Sequence, residues 1–291
     1  MLLGSIEAGG TKFVCAVGDQ NFQIKKTITF PTTKPQETLD QAINFFKSFS
    51  DLAAIGIASF GPIEIRPTAA KYGYVTNTPK PNWSNTDFIG YIKRFLPVPI
   101  YWTTDVNGSV YGEWTAYRQK GQTFHSLVYY TIGTGIGAGI INDGQFIGTL
   151  GHPELGHVYV KRHPADLNFN GICPFHGDCL EGLAAGPTFQ ARLGIPGQNV
   201  ALNNPVWDII AFYIAQALVQ TTLAFRPEKI IIGGGVASES FLAKTRQQFR
   251  SLLNNYVDVG DLNKYLVMPQ VPNNGSATLG DFALAQKILA N

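Results

Sequence analysis

Short, unbroken apolar runs alternate along the chain with stretches whose apolar residues recur at helical spacing. Leu2–Ile6 reads as a buried strand, Glu7-Ala8-Gly9-Gly10-Thr11-Lys12 as a turn, and Phe13–Val17 and Asn21–Phe30 as two more strands. In Pro35–Phe49 the residues Leu39, Ala42, Ile43, Phe46 and Phe49 share one face, which predicts an amphipathic helix. Leu52–Ala58 is a further buried strand, ended by Gly61-Pro62. Asp87–Phe95 is predicted helical, Pro99–Trp102 a short strand, and a helix follows to about Arg118. The second half repeats the opening plan weakly. Leu127–Ile132 is a strand, Gly133–Gly139 interleaves glycine with other residues, and Ile140-Ile141 resumes an apolar run. Val206–Phe225 is the longest helix candidate. Lys229–Ile232 is a strand running into Gly233-Gly234-Gly235, and Ser240–Leu253 and Ala277–Leu289 are helices.

Strands alternating with helices predict an α/β fold. At 291 residues two domains are expected: an N-terminal α/β domain over 1–118 and a larger one over 119–276. The last helix, about 277–291, has the option of crossing back onto the first domain. Hydrophobic residues make up 45% and charged residues 14%, which excludes a disordered chain. Net charge is +2 with no basic run, so no nucleic-acid partner is expected. The start, MLLGSIEAGG, lacks a basic n-region, and no segment is read as a membrane span. The expected setting is the cytoplasm.

Two of three cysteines fall in the seven-residue stretch CPFHGDC. With His157 upstream, the spacing His-x15-Cys-x2-His-x2-Cys offers His157, Cys173, His176 and Cys179 as four donors for a tetrahedral Zn²⁺. Four protein donors complete the set, so a structural ion is expected. The alternatives are two free thiols with a surface histidine, a disulfide, or His152 or His163 in place of His157. Glu154 and Glu181 flank this segment and, with His157, are candidates to hold hydroxyl groups. Their plainer role is to support the metal or face solvent.

Three glycine sites stand at strand ends, where α/β proteins bind ligands. Gly9, Gly10, Thr11 and Lys12 form the first, and their backbone N–H groups suit phosphate oxygens. They miss the P-loop template, and a plain hairpin turn is the alternative. Gly133, Thr134 and Gly135 form the second. Read as G-x-G-x-x-A this would be a dinucleotide fingerprint, but the following residues predict a strand and a turn rather than a helix, so a second phosphate-facing hairpin is expected. Gly233, Gly234 and Gly235 form the third. Asp105, after Ile100-Tyr-Trp-Thr-Thr, is either a general base or a helix N-cap.

With these residues in place the chain resembles the ROK sugar kinases (repressor, open reading frame, kinase) along its full length. IEAGGTKF, ASFGPIE at 58–64, TPKPNW at 78–83, TDVN at 104–107, GTGIGAG, GHPELGH, CPFHGDCLEG and IIGGGV are similar to that family's bacterial fructokinase branch. The resemblance implies a two-domain actin-like, ribonuclease-H-like fold with an interdomain cleft, and a need for ATP, Mg²⁺ and a structural zinc. It implies phosphorylation of D-fructose to fructose 6-phosphate, with glucose or mannose, or a non-catalytic sugar sensor, as alternatives. It assigns Asp105 as catalytic base, Glu154, His157 and Glu181 to the sugar, and His157, Cys173, His176 and Cys179 to zinc. The first two glycine loops are assigned to phosphate and Gly234-Gly235 to adenosine. A homodimer is implied by resemblance alone. The family's regulators carry a helix-turn-helix, and none is expected before Ile6. Glu7 stands where many relatives have Asp, Thr104 where many have Asn, and C-x2-H-x2-C replaces the usual C-x-C-x4-C run.

Overall fold

The computed structural model describes residues 1–290. In chain order the first elements are β1 (Leu2–Ala8), β2 (Lys12–Gly18), β3 (Ile24–Pro31), α1 (Pro35–Lys47) and β4 (Leu52–Ser59). There follow β5 (Tyr74–Val75), β6 (Thr86–Asp87), α2 (Phe88–Lys93), β7 (Ile100–Thr104) and α3 (Asp105–Gln119). Next come β8 (Ser126–Ile132), β9 (Ile136–Asn142), β10 (Gln145–Phe146), α4 (Leu180–Ala184), α5 (Pro187–Leu193) and α6 (Val206–Phe225). The chain ends with β11 (Lys229–Gly233), α7 (Glu239–Leu253), α8 (Leu262–Tyr265), β12 (Leu266–Val267) and α9 (Ser276–Leu289).

Two compact units emerge, and their borders differ from a single cut at residue 118. The first comprises Met1–Thr123, Phe146–His152 and the chain from Gln270 onward; the second comprises Phe124–Gln145 and Pro153–Pro269. The first unit reclaims the C-terminal segment because α9 packs along α3 and against β1 and β4. Its sheet has the order β3-β2-β1-β4-β7, with β1 antiparallel to β2 and parallel to β4. The second sheet has the order β10-β9-β8-β11-β12, with β8 antiparallel to β9 and parallel to β11. The repeat hinted at in the sequence is therefore real in topology: a hairpin, then a strand parallel to its first arm.

In the first unit, strand alternation sends Ile6 and Ala8 to one face of the sheet, into a core with Phe13, Phe46, Trp83, Phe88 and Trp102. The rings of Phe13 and Phe88 stack at 5.9 Å, and the Trp83 indole donates to Thr33 O at 2.8 Å. Leu3 joins Ala16, Ala54, Phe282 and Ala285 on the other face, under α9. Ser5 lies on that face too and donates to Asp281 Oδ2 at 2.9 Å. Glu7, two residues on, continues the row. Burial first, then the neighbouring Asp105 charge, pushes the Glu7 carboxyl from its ordinary 4.5 up to about 7, against the pull of Lys12. Burial, with the Glu7 charge adding, holds the Asp281 carboxyl well above its usual range.

Three expectations shift. The third strand begins at Ile24, not Asn21, because Asp19 Oδ1 accepts from Asn21 N and Gln23 N, both at 3.0 Å, and closes a turn there. Asp105 does not cap α3: Thr104 does, its hydroxyl accepting from Asn107 N at 3.4 Å, and Asp105 is the first helical residue. Finally, α6 is 20 residues long and apolar enough by length and composition to cross a membrane, which the sequence reading missed. Over half of it is buried in the protein, and several of its polar side chains are paired there. Gln216 exchanges hydrogen bonds with the Lys161 backbone at 2.8 and 3.0 Å, and Thr221 meets the Tyr130 hydroxyl at 2.6 Å.

The crossing of α3 and α9 depends on absent side chains. A Cβ at Gly112 would overlap the Ser276 carbonyl oxygen, and one at Gly280 would overlap that of Gly108. Backbone cannot yield as a flexible side chain does, so Gly112→Ala should cost at least about 2 kcal/mol of stability. A denaturant midpoint equal to that of the wild type would contradict this close packing.

Glu7 gives a second prediction. An acid whose pKa is higher folded than unfolded binds more protons in the native state between the two values. Its contribution to stability therefore falls as pH rises from about 4.5 to about 7. Glu7→Gln removes that loss, so the variant should gain on the wild type across this window, by up to about 3 kcal/mol. Urea midpoints at pH 4.5 and pH 8 measure it, and a difference independent of pH would refute the assignment.

Candidate functional site

In the first unit, β1, β4 and β7 run parallel, so their carboxyl ends gather the β1–β2 turn, Phe60-Gly61 and Asp105 at one edge of the sheet. The turn is held in shape by its own backbone and by one residue that the sequence did not single out. Gly9 N donates to Lys12 O at 3.0 Å, Thr32 Oγ1 donates to Gly9 O at 2.6 Å, and Thr32 N donates to Thr11 O at 2.9 Å. Gly10 faces open space: a Cβ there would meet nothing within 4 Å. Asp105 Oδ1 accepts from Val106 N at 2.9 Å, which fixes the carboxylate at the start of α3. Glu7 and Asp105 are close enough for one charge to raise the other's pKa, and Lys12 opposes this. Such a carboxylate pair suits a hard divalent cation, which would relieve the repulsion. Thr32 could have been found only by knowing the register of β3, where Pro31 pairs with Lys12.

The second unit holds the remaining candidates. Gly133 N donates to Gly135 O at 2.9 Å, so residues 133–135 turn tightly between antiparallel strands, as the hairpin expectation required and the dinucleotide fingerprint did not. The glycine run after β11 lies against this turn. Val236 N donates to Ile132 O at 3.0 Å, and Gly234 takes φ +90°, where a Cβ would come within 2.5 Å of the same oxygen.

His157, Cys173, His176 and Cys179 each bring one donor atom into a cluster whose members lie within 4.8 Å of one another. Cys173 Sγ stands 3.8 Å from His157 Nδ1 and 3.7 Å from His176 Nδ1, and Cys179 Sγ stands 3.5 Å from His157 Nδ1. A tetrahedral zinc with ordinary Zn–S and Zn–N bonds requires a sulfur–nitrogen edge of about 3.6 Å. The donor set therefore fits Zn²⁺ in type, number and spacing. Both cysteines are free thiols, which removes the disulfide reading. His163 is engaged elsewhere, its Nδ1 accepting from Ala165 N at 3.1 Å, and neither it nor His152 belongs to the cluster. Burial pushes the Cys179 thiol up to about 11, with Cys173 adding to the rise. A bound divalent cation reverses that shift, because thiolate is the ligand form.

Local backbone explains the cluster's shape. Cys173 and Gly177 exchange N–H···O bonds at 3.1 and 2.9 Å, which folds CPFHG into a knuckle, and Leu180 N donates to Val158 O at 2.9 Å. On its other side the segment is braced by arginines. Arg162 donates to Asp178 Oδ2 at 3.2 Å and to Asp166 O at 2.7 Å. Arg192 grips the Asp166 carboxylate with two bonds, at 3.0 and 2.7 Å, and donates to Leu183 O at 2.8 Å. Neither arginine was visible as a site residue in the sequence. Glu181, in the first turn of α4, accepts from Ile136 N at 2.9 Å, so it is already tied to the 133–136 hairpin. Glu154 precedes a 3-10 turn over Leu155–His157, and its carbonyl accepts from His157 N at 3.0 Å.

The ROK family model matches residues 3–288. A fructokinase of Streptococcus mutans is 57% identical over 293 aligned positions, covering 99% of each chain. A fructokinase of Lactococcus lactis is 51% identical, covering 98% of this chain and 97% of its own. Among solved structures, a ROK glucokinase of Streptomyces griseus in complex with glucose and AMPPNP aligns with TM-score 0.76 over 99% of this chain and 100% of its own, at 24% identity. That likeness concerns the fold, the two-domain α/β architecture of actin-like sugar kinases. With a family model spanning almost every residue and relatives above half identity along the whole length, the chain belongs to the ROK family.

Proposed function

We propose that the protein is an ATP-dependent fructokinase that makes fructose 6-phosphate. The observation that carries this is identity of 57% and 51%, over nearly full length, to two fructokinases. The residues supply chemistry of the right kind. Asp105 accepts the proton of the sugar 6-hydroxyl as that oxygen attacks the γ-phosphorus, and β-phosphate leaves on ADP. The N–H groups of the 9–12 and 133–135 turns other than those of Gly9 and Gly133, which close the turns, hold phosphate oxygens, and the Gly233–Gly235 run takes the adenosine. Mg²⁺, when bound, neutralises charge on the phosphates, and Glu7 with Asp105 is the carboxylate pair that helps to hold it. Glu154, His157 and Glu181 accept or donate hydrogen bonds to the sugar hydroxyls. His157 presents Nδ1 to the cysteine sulfurs, so Nε2 is the nitrogen left for a hydroxyl. Thr104 stands where many relatives carry an asparagine amide, a change that argues against glucose-type recognition, and its hydroxyl oxygen accepts from Asn107 N. ATP supply and free thiols agree with a cytoplasmic setting, and two copies of the chain are proposed to form the working unit.

ADP release coupled to a visible reaction, run with fructose, glucose and mannose, tests the reading. Fructose should give the highest kcat/KM. Turnover confined to another hexose would replace the substrate, and no turnover with any would leave the sugar-sensor reading. Asp105→Ala should lower kcat by about 10²–10⁴. Because Thr104 is the cap, circular dichroism should show the fold intact; a folded variant with near-normal kcat would remove Asp105 as the base. For the metal, elemental analysis should find about one zinc per chain, lost in Cys179→Ala. Protein purified without chelator and free of zinc would refute the zinc assignment.

A further inference from the structure

The peptide of Ile136 is gripped from two sides. Its N–H donates to Glu181 Oε2 at 2.9 Å. Its carbonyl lies so close to Gly156 that a Cβ there would overlap the oxygen. Gly156 immediately precedes His157, and Glu181 lies two positions after Cys179, so both grips come from the metal-binding segment or its edge. Gly135 completes the contact: a Cβ on it would stand 2.6 Å from Glu181 Oε2. Gly186, beyond α4, donates to Gly133 O at 2.7 Å and pins the other end of the same turn. Backbone contacts at Gly156 and Gly186, together with the Glu181 carboxylate, therefore join the phosphate hairpin to the helix that carries Glu181 and to the loop that carries His157.

We infer that sugar and nucleotide binding are coupled through the Ile136 peptide, with Gly135, Ile136 and Gly156 as positioning residues. This rests on the proposed reading of Glu181 as a sugar ligand and of 133–135 as a phosphate turn. One carboxylate then serves both substrates. Its Oε2 holds the hairpin N–H, and a hydroxyl bound to the group fixes its rotamer and so the hairpin. By linkage, whatever sugar does for nucleotide affinity, nucleotide does for sugar affinity.

Two measurements on the zinc-loaded protein test this by calorimetry. The first is fructose affinity without nucleotide in Gly135→Ala. Gly135 lies in the nucleotide turn, yet its new methyl group displaces Glu181, so fructose affinity should fall by at least about fivefold, the effect of one impaired buried hydrogen bond. The second is Mg·ADP affinity without sugar in Glu181→Ala and Glu181→Gln. The alanine variant loses the acceptor for Ile136 N and should bind Mg·ADP at least about fivefold more weakly. The glutamine variant keeps an amide oxygen in that place and should stay within about twofold of wild type, a rescue that general destabilisation would not give. Zinc content is measured on every preparation, and equal loading keeps a lost metal from mimicking the effect. Unchanged fructose affinity in Gly135→Ala, or unchanged Mg·ADP affinity in Glu181→Ala, overturns the coupling. If the wild type binds Mg·ADP but no hexose, the fructokinase reading fails while the Glu181 pair still decides whether α4 and the hairpin are coupled.

Discussion

The candidate sugar site stands on a segment with little regular structure. Between β10 and α4, residues 147–179 contain only two 3-10 turns and isolated bridges. Tyr159, Leu167 and Phe175 are exposed there, so apolar burial does not fix its path. What converges instead is polar: two imidazoles and two thiols with sulfur–nitrogen distances of 3.5–3.8 Å, and two arginines anchored on Asp166 and Asp178. Without a cation the four donors have only weak hydrogen bonds to offer one another. With one, coordination energy replaces the missing hydrophobic core and sets the positions of Glu154, His157 and Glu181.

The two units divide the chemistry. The first carries Asp105, the candidate base, and the polar row Ser5, Glu7 and Asp281; the second carries the candidate metal segment, the 133–135 turn and the glycine run. Each sheet ends its antiparallel hairpin in a glycine turn, and each places a parallel strand beside that hairpin's first arm. The same physical device, backbone N–H groups at a turn without side chains, thus occurs twice.

Much of this was legible in the sequence because the signals were local. The metal quartet spans two short motifs, His157 near one end and Cys173 to Cys179 at the other, and spacing alone identified it. The hairpin after Gly133 was legible because no helix pattern follows it. Long-range partners were not legible. Thr32 holds the first turn only because β3 pairs with β2, and Arg192 reaches Asp166 across a fold of the chain. The cap of α3 was misread because Thr and Asp both suit that role, and backbone geometry chose Thr104. The bounds of α6 were legible, Val206–Phe225 in sequence and structure alike, but its membrane-like length and hydropathy were not, because Gln and Thr residues break its apolar run; Gln216, Thr221 and Thr222 are paired inside the protein. α9 belongs to the first unit for a similar reason: its glycine contact with α3 is invisible without the helix crossing.

The metal segment is proposed to make the sugar site. Calorimetric titration of fructose into one preparation, first zinc-loaded, then chelated, then reloaded with zinc, tests this most directly. Fructose affinity should fall on chelation, while far-ultraviolet circular dichroism shows the two sheets intact, and should return with zinc. Undiminished fructose affinity in fully zinc-free protein would contradict it.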